Sequence, residues 1–491
     1  MELFPLFATF APRMKNYLGQ TLVLLLLFLF LLIGLAFVPE NFTVAGHSLR
    51  RMDIFADVRR PVKEGAPIPG EDEIAAQEDS LQPAGLELTD TLALADSLRT
   101  ARPLAPLPPV DTGYFGNVIE DYTFDRSGLS RFFAAVDSTR AGRTVRVAWY
   151  GDSFVEGDIL IGDLRDSLQS LWGGNGVGFV PMTSEVAQFK RTLKHVFRGW
   201  TSYSIVKKGE HRPAFGIDGH AYRPGPEAKA HYEGADYFRH TRSWSQVRLF
   251  YSTSQKLPFV WQNEGMEPQM ADLLPRPEGQ ISQWKWSSPG IRGFALRFPD
   301  TNGLLLYGAS LEDGPGFYID NFSVRSNSGG PLRLIRPDVV RQFEAYQHYD
   351  LVVVQVGMNA VTNSTTNVKW YQAELDRVFE HLRVCFPHKP ILVVSVGDRA
   401  NKVDGELATM RGVPAIVAMQ RDLARKHGFL FYDLFHGMGG YGAMIRLANH
   451  KPMLANKDYT HLTHEGGRVV GRMFVRLFAA EQAKWRQQKI E

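Results

Sequence analysis

The chain has one cysteine, Cys385, in 491 residues. No intramolecular disulfide can form, so packing and hydrogen bonds must hold the fold; an oxidising compartment is not excluded by this. Excess charge is also scarce. Lys and Arg number 55 against 52 Asp and Glu, a formal net charge of +3. That is too little to suggest a nucleic-acid partner, and there is no basic run or zinc-finger spacing. No His-Glu-x-x-His and no cysteine cluster offers a metal site, so neither metal nor cofactor is expected. The glycine-dense run 173–179 is not followed by Gly-Lys-Ser/Thr, so a phosphate-binding loop is unsupported. The run reads instead as a loop passing close to the candidate active site.

What is present begins with Leu18 to Val38, an uncharged run rich in Leu, Phe, Val and Ile. Its length matches a hydrocarbon core about 30 Å thick. Arg13 and Lys15 precede it and Glu40 follows. The positive-inside rule then puts residues 1–17 in the cytoplasm, 18–38 across the inner (cytoplasmic) membrane as a single-pass anchor, and the body on the periplasmic or extracytoplasmic side. The alternative is a cleaved signal peptide; the run is longer than a usual h-region and no small-x-small site follows. Residues 39–112 carry scattered prolines and the acidic patch Glu71, Asp72, Glu73, Glu78 and Asp79, the composition of a disordered tether.

A globular body is expected from 113. At 44% hydrophobic and 22% charged, the chain can bury a core. Val145 to Tyr150, Asp350 to Val356, Pro390 to Val396 and Phe429 to Tyr432 read as apolar strands. They alternate with helical patterns at 163–172, 370–386, 414–427 and 464–487. This predicts an α/β domain, 113–186 and 301–491, with a Rossmann-like parallel sheet covered by helices on both faces. Leu304 to Gly308 reads as the strand that reopens this pattern. Residues 187–300 lose the helical period and show short aromatic-rich segments divided by turns, the mark of an inserted all-β sandwich. Trp200, Tyr203, Tyr222, Tyr232, Tyr237, Trp244, Trp261, Trp284 and Trp286 lie there. Such rings could stack on sugars, but aromatics also dominate sandwich interiors.

In parallel sheets the working groups sit beyond the carboxyl ends of the strands. Ser153, Asn359 and Asp398 fall at such ends, and Asp458-Tyr-Thr-His461 follows the last strand. A serine needs a base to become a nucleophile at neutral pH. His461 can take its proton, and Asp458, three residues earlier, can orient the ring. The Ser153 N–H, the Asn359 amide and an N–H from Asp320 to Gly329 can receive a developing oxyanion. Asp152 reads as a turn-shaping residue and His464 as a first-turn helix residue.

This order of blocks resembles the SGNH, or GDSL-type, hydrolase superfamily. Gly151-Asp-Ser-Phe154 is similar to its first block, Gly357-Met-Asn359 to its third, with Ala360 where an acid is usual, and Asp458-Tyr-Thr-His-Leu-Thr-His-Glu-Gly466 to its last. A closer likeness is to bacterial peptidoglycan O-acetylesterases, through Glu156-Gly-Asp158, Leu164 to Gln169 and an inserted sandwich of carbohydrate-binding-module type. The resemblance covers about 145–475. It implies a serine esterase that removes O-acetyl groups from a cell-wall glycan, through Ser153, His461 and Asp458. It also implies an oxyanion hole of Ser153, Asn359 and, where the family has glycine, Ser326, with Gly329 as the alternative. An O-acetyltransferase on the same scaffold and a non-catalytic glycan-binding envelope protein are the rival expectations.

Overall fold

The computed structural model describes residues 118–489, except 210–211 and 365–367, together with the short strands Thr43–Val44 and His47–Ser48. The chain divides into two compact units, Met1–Ile68 and Pro69–Glu491. In the first, the described part is the antiparallel pair Thr43–Val44 and His47–Ser48. The anchor expected at 18–38 lies outside the described residues, as does the tether at 39–112 apart from that pair. Among the described residues no helix is long and apolar enough to cross a membrane.

The second unit is built on a six-stranded sheet. Its order is Gly316–Ser323, Thr144–Gly151, Leu351–Gln355, Ile391–Val394, Leu430–Tyr432 and Glu120–Asp121. The first five run parallel. The two-residue edge strand is antiparallel, so the sheet is mixed rather than wholly parallel. Successive side chains of the serine strand, Thr144–Gly151, point to opposite faces. Trp149 meets Phe474 of the helix His464–Gln488, ring centroids 5.4 Å apart. Tyr150 meets Phe322 and Phe386. Val352, Val353, Leu392 and Leu430 are fully buried between the layers. Each such side chain contributes about 1.5–3 kcal/mol.

The strand beside the serine strand, Gly316–Ser323, carries Asp320 and Asn321, and those polar residues hide it from a hydrophobicity reading. Asp320 is fully buried and satisfied. It accepts from Arg146 at 3.0 Å, from the Phe179 N–H at 2.9 Å and from the Tyr349 hydroxyl at 2.8 Å. Arg146 also pairs with Glu312 at 2.6 Å, and Arg248 joins the same carboxylate. Burial pushes Glu312 up, but the two guanidinium groups pull it below the usual carboxylate value. A buried ionic network of this kind ties the serine strand to the inserted sheet.

That second sheet has nine strands and is wider than the expected 187–300. It takes in Gly176–Val180 at one end of the sequence and Leu305–Glu312 at the other, which pair with each other. Leu305–Glu312 therefore closes the insertion and is not a strand of the α/β sheet. The sheet folds over, because Trp261 in Leu257–Asn263 packs on Trp284 and Trp286 in Ser282–Ile291, 5.7 and 4.5 Å away, although these strands lie toward opposite ends of the pairing path. Trp244, Tyr222, Tyr232 and Trp261 are buried in its core, so these rings are spent on packing. The glycine run lies at the wrong end of the serine strand for an active-site loop. A Cβ on Gly174 would meet the Phe317 N at 2.7 Å, and Gly316 pairs with Thr144, where the serine strand begins. Glycine is needed there for close backbone contact.

Candidate active site

The serine turn is built by one glycine and one buried acid. A Cβ on Gly151 would lie 2.1 Å from Val155 Cγ2, so only glycine lets the chain fold back. Asp152 is 2% exposed. Its Oδ1 accepts the Phe154 N–H at 2.9 Å and its Oδ2 the Met358 N–H at 3.3 Å. Burial pushes this carboxyl up to about 6. Asp152 thus holds the turn and also grips the neighbouring strand end.

Ser153 Oγ lies 2.9 Å from His461 Nε2, across 308 residues of chain. His461 Nδ1 lies 2.7 Å from Asp458 Oδ2. The other carboxylate oxygen accepts the Thr460 and His461 N–H groups at 3.0 and 3.1 Å. Burial works to raise Asp458, but the bonds from His461 and Thr460 hold it below the usual carboxylate value. It is therefore ionised at neutral pH, the state that orients an imidazole and stabilises its charge. Tyr459, between the two, stands at φ 51°, and its carbonyl accepts the Ala400 N–H at 3.1 Å.

The helix after this loop fixes where His461 sits. Thr463 caps it, accepting the Gly466 N–H at 3.2 Å. A Cβ on Gly466 would meet the Leu454 carbonyl at 1.7 Å, and one on Gly467 the Ile159 carbonyl at 1.9 Å. The paired glycines let the helix start lie against the chain just beyond the serine turn. His464 begins that helix and takes no part in the pair; burial pulls its pKa down.

Asn359 sits in a single turn, Met358–Ala360, after Gly357 at φ 115°. Its Nδ2 donates to the Asn327 carbonyl at 3.1 Å. Ser326 is exposed and stands at φ 66°, a left-handed conformation that favours glycine. Its segment is tied to the serine turn by the Val324 N–H, which donates to the Gly151 carbonyl at 3.0 Å. Gly329 is removed as an alternative donor. Its N–H donates to Asn327 Oδ1 at 2.9 Å, and its Cα faces Val356, Leu375 and Tyr371. Asp398 is buried away from the pair, accepting Thr409 Oγ1 and the Met444 N–H, both at 2.8 Å.

One group had no sequence signal. Arg399, beside Asp398, donates to the Met358 carbonyl at 2.9 Å. Asp152 holds the N–H of the same residue, so Met358, which leads into Asn359, is held at both its N–H and its carbonyl. Burial pulls Arg399 down, while Asp458 and Asp152 act to keep it charged. Nothing in its spacing marks it in advance. Among the described residues no group of His, Cys, Asp and Glu is arranged to hold a metal ion.

A serine, an imidazole and a carboxylate in series can carry out acyl transfer. Residues 301–469 match the GDSL-like lipase/acylhydrolase family. Those residues are similar to the domain that defines the family. The GDSL-like match includes Asn359, Asp458 and His461 but not the serine turn, which the inserted sheet separates from it. The domain is that of a carboxylic ester hydrolase. A peptidoglycan O-acetylesterase is similar in fold, with TM-score 0.60 and 19% identity, over 75% of this chain and 99% of that one. An acetyl xylan esterase aligns over 32% of this chain and 79% of its own, at 18% identity and TM-score 0.25. A family 29 carbohydrate-binding module aligns over 28% and 88%, at 11% identity and TM-score 0.18. No curated protein matches the chain.

Proposed function

We propose that this protein is a serine esterase that removes O-acetyl groups from a cell-wall glycan, peptidoglycan being the substrate the reading favours. The observation that carries it is the series Ser153 Oγ, His461 Nε2 at 2.9 Å, and Asp458 Oδ2 at 2.7 Å from His461 Nδ1. Ser153 attacks the acetyl carbonyl while His461 takes its proton. The oxyanion receives hydrogen bonds from the Ser153 N–H, the Asn359 amide and the Ser326 N–H. His461 then gives its proton to the departing sugar oxygen, leaving acetyl-serine. Water, deprotonated by His461, attacks that ester and releases acetate.

Hydrolysis is favoured over transfer to a second sugar by the openness of the site: the His461 and Asp458 side chains are 32% and 49% exposed. Water reaches the acyl-enzyme without an acceptor. The glycan is supported by the fold shared with a peptidoglycan O-acetylesterase. The apolar run 18–38 behind Arg13 and Lys15 supports anchoring in the inner membrane with the body outside the cytoplasm. The test is acetate release from O-acetylated peptidoglycan, with no acceptor added, by the wild type and by Ser153→Ala. Release by the wild type alone is expected. Equal release by both, or release only when an acceptor glycan is present, would overturn the reading.

A further inference from the structure

Two depressions on the inserted sheet share a wall. One, about 730 Å³, lies between Trp200 and Ser202 of the sheet and Glu156, Arg325 and Ser326 of the catalytic body. The other, about 490 Å³, lies on the sheet itself against Lys229, Val260 and Arg297. Phe197 and Arg198 line both. The strand Leu193–Ser204 carries them, and its register breaks between Arg198 and Trp200, where Gly199 stands at φ 79°. Such a break re-aims the flanking side chains.

The first depression borders the chemistry. Ser323 pairs with Gly151, and Glu156 and Gly157 follow closely on Ser153. Its charges are unequally committed. Arg325 pairs with Glu156 at 2.8 Å, and Lys207 with Glu185. Arg297, in the second depression, pairs with Glu227 at 3.0 Å. Among the described residues Lys190 and Arg198 make no ion pair. Arg198 is exposed and Lys190 half-buried. Burial lowers the Lys190 pKa although Asp158 and Glu156 oppose it, so an arriving anion would stabilise its charge. The uncommitted charge along the floor is therefore positive, with the Phe197 and Trp200 rings beside it.

We propose that the two depressions are one track for a carboxylate-bearing polysaccharide strand, held by Arg198 and Lys190 while one of its acetyl groups is presented to Ser153. Each depression has the size of a site for about one drug-sized ligand, so end to end they suit several linked sugars and exceed what a lone ester needs. The inserted sheet then acts as part of the substrate site. This inference rests on the esterase reading for its orientation, but the track can be tested separately.

The experiment compares full-length wild type with Arg198→Glu, an exposed position where folding is undisturbed. Three substrates are used: a small chromogenic acetyl ester, O-acetylated peptidoglycan fragments bearing carboxylates, and neutral acetylated xylan. Arg198→Glu should lower kcat/KM on the anionic polymer by about tenfold while the small ester is unchanged and the neutral polymer loses less. Calorimetric titration with the same anionic fragments after their acetyl groups have been removed, which the enzyme cannot turn over, should show the same weakening and a salt dependence that Arg198→Glu lacks. Equal effects on all three substrates, or unchanged binding of the anionic fragments, would overturn the track. Weakened binding with no ester cleavage by the wild type would leave the track standing and remove the esterase reading.

Discussion

Asn359→Ala separates a catalytic donor from a structural one. In the structure Asn359 is exposed, and one of its amide hydrogens is given to the Asn327 carbonyl at 3.1 Å. Losing that bond costs about 1 kcal/mol of stability, since a neutral hydrogen bond at the surface contributes little more. The remaining hydrogen is free for the oxyanion, which exists only as the tetrahedral species forms. Removing such a donor costs about 3 kcal/mol in the transition state, or on the order of a hundredfold in kcat. KM should hold, because the ground-state carbonyl gains little from the donor. Asn359→Asp should be worse than Ala, since it removes the donor and sets a negative charge beside the forming one. Steady-state kinetics on a chromogenic acetyl ester, with thermal melts of the same preparations, measures both quantities. A kcat within about threefold of wild type, or a loss confined to KM, would refute the oxyanion assignment.

Ser326→Gly should stabilise the protein by up to about 1 kcal/mol, because the left-handed strain at φ 66° exceeds the entropy that glycine adds to the unfolded chain. Activity should survive, since the N–H remains; a lower melting temperature would contradict this. Asp152→Asn should change how stability depends on pH. The native carboxyl titrates at about 6 against an ordinary 3.8, so the wild type loses stability as pH rises from about 4 to beyond 6. The loss is about 3 kcal/mol for a fully buried group. Denaturant melts across that range should show the Asn variant gaining on wild type as pH rises, and a constant difference would contradict the burial argument.

Much of this architecture is legible in the sequence because the strands of the α/β sheet are buried on both faces. Leu351–Gln355 and Ile391–Val394 have no polar face to confuse with a helix, and the helices between them keep a clear apolar stripe. Asp458 and His461 are near neighbours, so their pairing is local and readable. What escapes is whatever depends on partners distant in sequence. Gly316–Ser323 fails to read as a strand because Asp320 is buried against Arg146, Phe179 and Tyr349. The limits of the inserted sheet escape because Gly176–Val180 finds its partner more than a hundred residues later. The glycine run is visible, but which end of the strand it crosses is a property of the fold. Arg399 acts on a backbone carbonyl, and no spacing rule points to such a contact.

The most direct measurement is of the atom that carries the acyl group. The full-length enzyme would be quenched during turnover of an acetyl ester, digested and read by peptide mass. The account predicts one acetyl group on the peptide containing Ser153, absent from Ser153→Ala and accumulating in a His461→Ala variant that a reactive ester has acylated, since the water that clears it then lacks its base. Acetylation of another residue at a kinetically competent rate, or full turnover by Ser153→Ala, would contradict it.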